Sequence, residues 1–439
     1  MSFRSWIANL KSACNNGRQG RRTRASRDGG QHRLPTSRFR PLLEALEDRW
    51  MPSTLTVLNN LDSGPGSLRA EIAAAHNNDT IVFAPSLAGQ TITLTSAELL
   101  LSTAVTIQGP GASQLTVSGN NHQFRVFEVN ASQPVVLTGL TISNGKGGIL
   151  NHTALRISSC TISGNTYSGL FNVGTMTVSG CTMAGNTAYD GGGIYSRGTL
   201  TASNSTIAGN RSIFGGGGLF AVGNSTVTLT NCTISNNGII NGNTIDAGGG
   251  GVYAALGSTV TLTNCTLANN LAIGGSGANG GGLYVHYGAT ANLTNCTVSG
   301  NSAGNGYGIF VDPRFTPGVL FLSNTIVAGN VNPTSDTVGP DISGYVSGAD
   351  HNLVGDATGS TGIVNGVNGN IVGGNGNPVI NADLGPLQNN GGPTQTMALL
   401  AGSPAIGHAD NAFAPATDQR GFTRLDEPGE ATDIGAFEL

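Results

Sequence analysis

The feature that most constrains this chain is a self-repeat. The segments SCTISGN (159–165), GCTMAGN (180–186), NSTIAGN (204–210), NCTISNN (231–237), NCTLANN (264–270), NCTVSGN (295–301) and NTIVAGN (324–330) align without gaps. Their closing residues, Asn165, Asn186, Asn210, Asn237, Asn270, Asn301 and Asn330, are 21, 24, 27, 33, 31 and 29 residues apart. A second block alternates with them: GLF (169–171), GIY (193–195), GLF (218–220), GVY (251–253), GLY (282–284) and GIF (308–310). From each aromatic forward to the next Asn the distance is 15, 15, 17, 17, 17 and 20, whereas from the Asn to the next aromatic it varies between 6 and 16. Repeats of this length signal a stack of similar units. The nearly fixed part is the coil, and the variable, glycine-rich part is a surface loop.

Inside the fixed part the pattern has period two. In GVYAALGSTVTLTNCTLANN, Val260, Leu262, Cys265 and Leu267 are apolar and Thr261, Thr263 and Thr266 separate them. Such alternation marks strands with one buried face. Asn264 interrupts it by one residue, so the chain bends there in the left-handed conformation that asparagine tolerates. The matching positions are Asn204, Asn231, Asn295 and Asn324, and their stacked amides are expected to bond to one another. Short strands without hairpin turns predict a single-stranded parallel β-solenoid of roughly 9–12 coils. A leucine-rich repeat shares the look of LTNCTLANN, but the loop half lacks the Glu, Lys and Leu that a helix needs.

Composition agrees with this. There are 68 glycines and only 10% charged residues, and disordered chains are charge-rich. No apolar run approaches the ~18 residues of a membrane helix. Charge divides sharply. Residues 1–49 hold 11 Lys/Arg against 4 Asp/Glu, and residues 50–439 hold 9 against 20, with Lys146 their sole lysine. The basic segment reads as a leader or targeting segment rather than a nucleic-acid arm, because the body is acidic and has no basic face. Cys160, Cys181, Cys232, Cys265 and Cys296 share one inward repeat position, a small buried apolar role. Side chains stacked in parallel meet disulfide geometry poorly. Cys14 stands apart.

These residues resemble a known group. The body looks like the right-handed parallel β-helix of pectate-lyase-type proteins and of bacterial polymorphic outer-membrane repeats. STLTVLNNLDSGPGSLRAEIAAAHNNDTIVF (53–83) is similar to the N-terminal cap of secreted bacterial β-helix proteins, which implies a short capping helix followed by the first coil. NTIVAGN, PDISG (340–344), HNLVGD (351–356), LGPLQNNGGPTQTMALLAGSPAIG (384–407), DQRG (418–421) and DIGAFE (433–438) resemble the choice-of-anchor Q domain of surface β-helix proteins. LLEALEDRWMPS (42–53) resembles the leader-like segment of planctomycete secreted proteins. The implied organisation is a leader at 1–52, a cap and first coil at 53–103, repeats at 104–338 and an anchor-type region at 339–439. The implied location is extracellular or at a bacterial cell surface.

Chemistry is sparse in the repeats. Pectate lyases use an aspartate group for calcium and a basic residue to take a proton. Asp190 and Asp246 sit in variable loops two coils apart, ~10 Å at the strand spacing, and no carboxylate cluster is read, so no cofactor is expected; calcium stays open as the alternative, with no ligand cluster to support it. The aromatics are more informative. If Ile194, Leu219, Val252, Leu283 and Ile309 point inward, then Tyr195, Phe220, Tyr253, Tyr284 and Phe310 form one outward column, expected to be aligned and partly exposed. Stacked rings of this kind hold sugar faces. Two residues on, Arg197, Val222, Ala255, His286 and Asp312 share that outward side and differ from coil to coil, as a binding surface would. The expected function is a monomeric, non-catalytic surface protein that contacts polysaccharide or matrix through Tyr195, Phe220, Tyr253, Tyr284, Phe310, Arg197, His286 and Asp312. The alternative is a polysaccharide lyase or glycoside hydrolase on the same fold. Carboxylates and an Arg or Lys converging within ~6 Å distinguish the enzyme.

Overall fold

The computed structural model describes residues 51–439 apart from 241–245, 274–277, 334, 336 and 425–430. The basic segment and Cys14 lie outside the described residues. A typical coil contributes one strand to each of three parallel sheets, of 12, 11 and 12 strands. In the coil read above these are Val252–Ala254, Thr259–Thr263 and Thr266–Ala268. Neighbouring coils pair in register, so Val227, Val260 and Ala291 stack, as do Leu229, Leu262 and Leu293. Val260, Leu262, Cys265 and Leu267 are all at 0% exposure in the core that runs along the coils. All five described cysteines are buried and free.

The first coil is closed by a helix, Leu68–Ala74, whose N-cap Ser67 accepts a hydrogen bond from the Ala70 amide. At the other end the parallel strands run on past residue 339. Ile309 pairs with Ile342, and Leu353 pairs with Ile371.

The bends follow the asparagines as read. Asn204, Asn231, Asn264, Asn295 and Asn324 have φ between 48° and 53°. The amide ladder, however, runs through the other asparagine of the repeat. Asn165 Nδ2 donates to Asn186 Oδ1, and the chain continues through Asn210, Asn237, Asn270, Asn301 and Asn330, each link 2.9 or 3.0 Å. Each Oδ1 also accepts the backbone N–H of the preceding asparagine, and the second Nδ2 hydrogen goes to a carbonyl, as Asn210 Nδ2 to Met183 O at 2.9 Å. Asp341 closes the series by accepting from Asn330 at 2.7 Å. Among the bend asparagines only Asn324 and Asn295 bond to each other, at 3.3 Å. The left-handed bend turns these side chains away from the coil, and Asn204 is exposed.

Residues 381–424 and 431–439 fold back across the sheet of short strands. Gln419 bridges two coils there, accepting from Thr266 Oγ1 at 2.6 Å and donating to Thr233 Oγ1 at 2.9 Å. Asn264 Nδ2 donates to Thr417 O at 2.8 Å, and Asn324 Nδ2 to Asp410 O at 2.9 Å. Thr233, Thr266 and Thr297 are therefore buried, while Thr161, Thr182 and Thr206, their counterparts on earlier coils, stay half-buried.

Candidate functional site on the outer aromatic face

The aromatic column forms as read. Tyr195, Phe220, Tyr253, Tyr284 and Phe310 are in register on successive strands, with Phe171 before them. Their inward neighbours Ile194, Leu219, Val252, Leu283 and Ile309 are buried in the core. The rings run face to face from Phe171 to Tyr253, with centroids 4.5, 5.5 and 4.8 Å apart, then turn edge-on at Tyr284.

The expected exposure does not hold. Tyr253 is 2% exposed, Tyr284 0% and Phe220 6%, and only Phe171, Tyr195 and Phe310 are half-buried. The glycine-rich loops lie on the ring faces. A Cβ at Gly248 would come 2.2 Å from Tyr284 Cδ1, so a larger residue there would lift the loop off the ring. Alternation gives the direction of a side chain and says nothing of a loop that returns over it.

The second sequence inference to change is the separation of the carboxylates. Asp246 comes from the loop before Val252–Ala254, His286 follows Leu283–Val285, and Asp312 follows Ile309–Val311. They lie on three coils, yet one ligand atom from each falls within 4.8 Å of the others. The loop and the long side chains cross the ~4.8 Å coil spacing that kept them apart on paper. Arg314, which lies in an irregular turn that repeats nowhere, joins them. Its Nη2 is 2.6 Å from Asp312 Oδ2 and 3.0 Å from Asp246 Oδ1, and its Nε and backbone N–H reach Asp312 Oδ1 at 2.9 and 2.8 Å. The D-P-R run was the only signal for it. Arg197 is exposed beside Tyr195 and away from this group; Val222 and Ala255 pack among the rings.

Two tyrosine hydroxyls complete the arrangement. Tyr284 Oη donates to Asp312 Oδ2 at 2.7 Å and accepts from Arg314 Nη2 at 3.0 Å. Tyr253 Oη lies 2.7 Å from His286 Nδ1. Two carboxylates face Nε2, Asp312 Oδ2 at 3.0 Å and Asp246 Oδ1 at 4.0 Å. The imidazole proton therefore belongs on Nε2, which leaves Nδ1 to accept from Tyr253. Burial pulls the His286 pKa below its ordinary value despite those carboxylates, so the ring is neutral at pH 7. Burial works against the Asp312 charge, but bonds from Arg314 and Tyr284 outweigh it and hold the carboxyl below the usual range. Burial also raises both tyrosines, with the Asp312 hydrogen bond adding to the rise at Tyr284.

Two atoms are left over. His286 Nε2 and Asp246 Oδ1 are buried and lack an aligned hydrogen bond, although each has an opposite charge or polar group at 3.0 Å. Solvent reaches the group through Asp246 and Arg314, whose side chains are 25% and 38% exposed. Calcium does not fit. It takes six to eight oxygens, whereas here two carboxylates and an imidazole converge and the Arg314 guanidinium already stands between the carboxylates. Tyr287 and Phe315 edge the site with φ of 47° and 57°, unusual for bulky residues, and their rings stack at 5.2 Å.

A family model described as "Right handed beta helix region" matches residues 102–241 and 151–375. No curated protein matches the chain. Among solved structures, one described as "Crystal structure of pectate lyase Pel9A" aligns with a TM-score of 0.54 and 15% identity, over 89% of this chain and 97% of that one. At that identity the likeness is one of fold.

Proposed function

The chain belongs to the right-handed β-helix family, and from there we propose that it is an exported protein that binds and cleaves an acidic polysaccharide on its outer aromatic face. The observation that carries the reading is the convergence of Asp246, Asp312 and Arg314 around His286 at one place beside the buried stretch of the aromatic column. The polar groups of the asparagine ladder recur coil after coil and are bonded at every link. This group does neither, and locally unsatisfied groups are characteristic of sites. The pectate lyase likeness adds a fold on which such chemistry is found.

Each residue has a role in this reading. Asp312 and Tyr284 fix the Arg314 guanidinium, which receives the carboxylate of a uronate unit in a planar, charge-assisted pair. With that carboxylate neutralised, the hydrogen on the adjacent carbon becomes acidic. Asp246, the carboxylate that reaches solvent, takes this proton. The electron pair left on carbon forms the double bond, the bond to the glycosidic oxygen breaks, and the proton passes from Asp246 to that oxygen. His286 and Tyr253, both buried, hold Asp246 in place from beneath. A second reading, surface adhesion without cleavage, is favoured by the complete burial of His286, Asp312 and Tyr284.

Incubation of the full chain with oligouronates separates these. Elimination yields both new reducing ends and ultraviolet absorbance from the unsaturated product, and Asp246→Asn should abolish both while binding persists. Reducing ends alone mean hydrolysis. Binding without product means adhesion, and absence of binding ends both readings.

A further inference from the structure

A second charged cavity lies on the same face, at its N-terminal end. It has a volume of about 500 Å³ and is lined by Glu98, Phe124, Arg125, Lys146 and Tyr167, among others. Arg125 is committed, standing 3.4 Å from Glu98 and 3.7 Å from Glu128. His152 Nε2 adds a contact to Glu128 at 3.2 Å. Glu98 and Glu128 thus share Arg125 as their cation, and burial, the first cause, raises the pKa of Glu98. Lys146 differs from all of these. It is exposed, it is the sole lysine of residues 50–439, and among the described residues no carboxylate forms an ion pair with it.

The cavity and the Arg314 group are joined by aromatic side chains that do reach solvent. Tyr167 is 62% exposed and Tyr189 61%. Tyr189 lies parallel to Phe214 at 6.3 Å and 2°, and Phe214 meets Tyr253 edge-on at 6.0 Å. Lys146, Tyr167, Tyr189, Phe214 and Asp246 each precede their strand of the aromatic sheet, so they follow one edge of it, coil by coil. The exposed aromatic line is thus displaced by a few residues from the buried column that sequence alternation picks out. From the strand after Lys146 (Gly147–Asn151) to the strand before Asp312 (Ile309–Val311) there are six coil steps, roughly 29 Å at ~4.8 Å each.

We propose that Lys146 is a remote anion subsite for the same polymer: a linear polyuronate lies along the Tyr167–Tyr189–Phe214 edge, with one carboxylate on Lys146 and another on Arg314. The inference rests on the function proposed above. Lys146 and the part-exposed Arg314, about 29 Å apart in an acidic body with the exposed Arg197 on a coil between them, favour a stiff chain of regularly spaced negative charges, and rings between them suit the apolar faces of its sugars. A monosaccharide or a compact anion would engage one end only.

The test is affinity as a function of oligouronate length, measured on the full chain by calorimetry. The unaltered protein should show a step of tenfold or more once the oligomer is long enough to span both cations. Lys146→Gln and Tyr189→Ala should remove the step, and Arg314→Gln should weaken oligomers of every length. If Lys146→Gln leaves the step intact while Arg314→Gln abolishes binding, the subsite is overturned and the function stands. If polyglutamate, a polyanion without sugar faces, shows the same step and Tyr189→Ala does not alter it, the edge is no sugar track. If Arg314→Gln changes nothing, the function itself falls. Both exposed substitutions should leave the melting temperature in place, which separates loss of binding from misfolding.

Discussion

The asparagines from Asn165 to Asn330 and the group around Asp312 are both polar and both buried, yet they are built on opposite terms. In the ladder each side chain is neutral, donates twice and accepts twice, and repeats the bonds of the coil below. No desolvated charge has to be balanced until Asp341, where the ladder ends. Around Asp312 two carboxylates, a guanidinium and an imidazole meet once, with two atoms lacking an aligned partner. Satisfied and repeated polarity holds coils together. Unrepeated and incomplete polarity costs stability and is retained where something has to be bound or moved.

The largest effect should come from breaking the ladder. Asn237→Leu would orphan the Asn210 amide, one Asn210 Nδ2 hydrogen and the Ile207 carbonyl. At about 1–3 kcal/mol for each of the three buried groups left without a partner, the loss should be roughly 3–9 kcal/mol, read as a shift in the denaturant midpoint. A cost below about 1 kcal/mol would erase the contrast drawn here. Asp312→Asn should cost less, about 1–3 kcal/mol, because the partner it deserts, Arg314, is 38% exposed and can turn to solvent. Its effect on oligouronate binding should be much the larger of the two. Equal stability losses with unchanged binding would make the group structural.

The smallest effect is one of slope. Burial pushes Asp190, in the loop edge beside Tyr195, up to about 6 from an ordinary 3.8. The folded state therefore holds this proton to higher pH than the unfolded chain does. Its contribution is fully present below about pH 4 and is lost as pH rises through about 6. Asp190→Asn should flatten that part of the melting curve against pH, while neutralising the site should also improve polyanion binding above pH 6. A variant whose pH profile parallels that of the unaltered protein would contradict the shift.

Much of the scaffold is legible in the chain because it follows from local periodicity. The inward set Val260, Leu262, Cys265 and Leu267 and the left-handed bend at Asn264 depend on residues within one coil and its copies. The ladder was assigned to the wrong asparagine because both kinds recur with the same spacing, and only the bend decides which side chain faces the coil. The covering of Tyr253 and Tyr284 depends on loops of variable length, and Gly248 gives no sign of the ring it rests on. Arg314 escaped for the opposite reason: it belongs to no repeat, so nothing in the pattern singled it out. His286 and Asp312 were found by position; that they meet Asp246 was hidden by treating coils as rungs at fixed height.

The return of residues 381–424 and 431–439 across the short-strand sheet has a mechanical consequence. An uncovered solenoid can fray one coil at a time from an end, since each coil contacts only its neighbours. Gln419 spans Cys232–Thr233 and Thr266, and the backbone around Gly435 reaches Asn324, so the coils from 232 to 324 share one strap and cannot separate singly. Force applied to the carboxyl end would peel the strap first and leave the stack intact beneath it. Force that parts the coils would have to break the strap and several rungs together, giving this stretch, which includes Asp246, His286 and Asp312, a higher unfolding barrier than the coils before it.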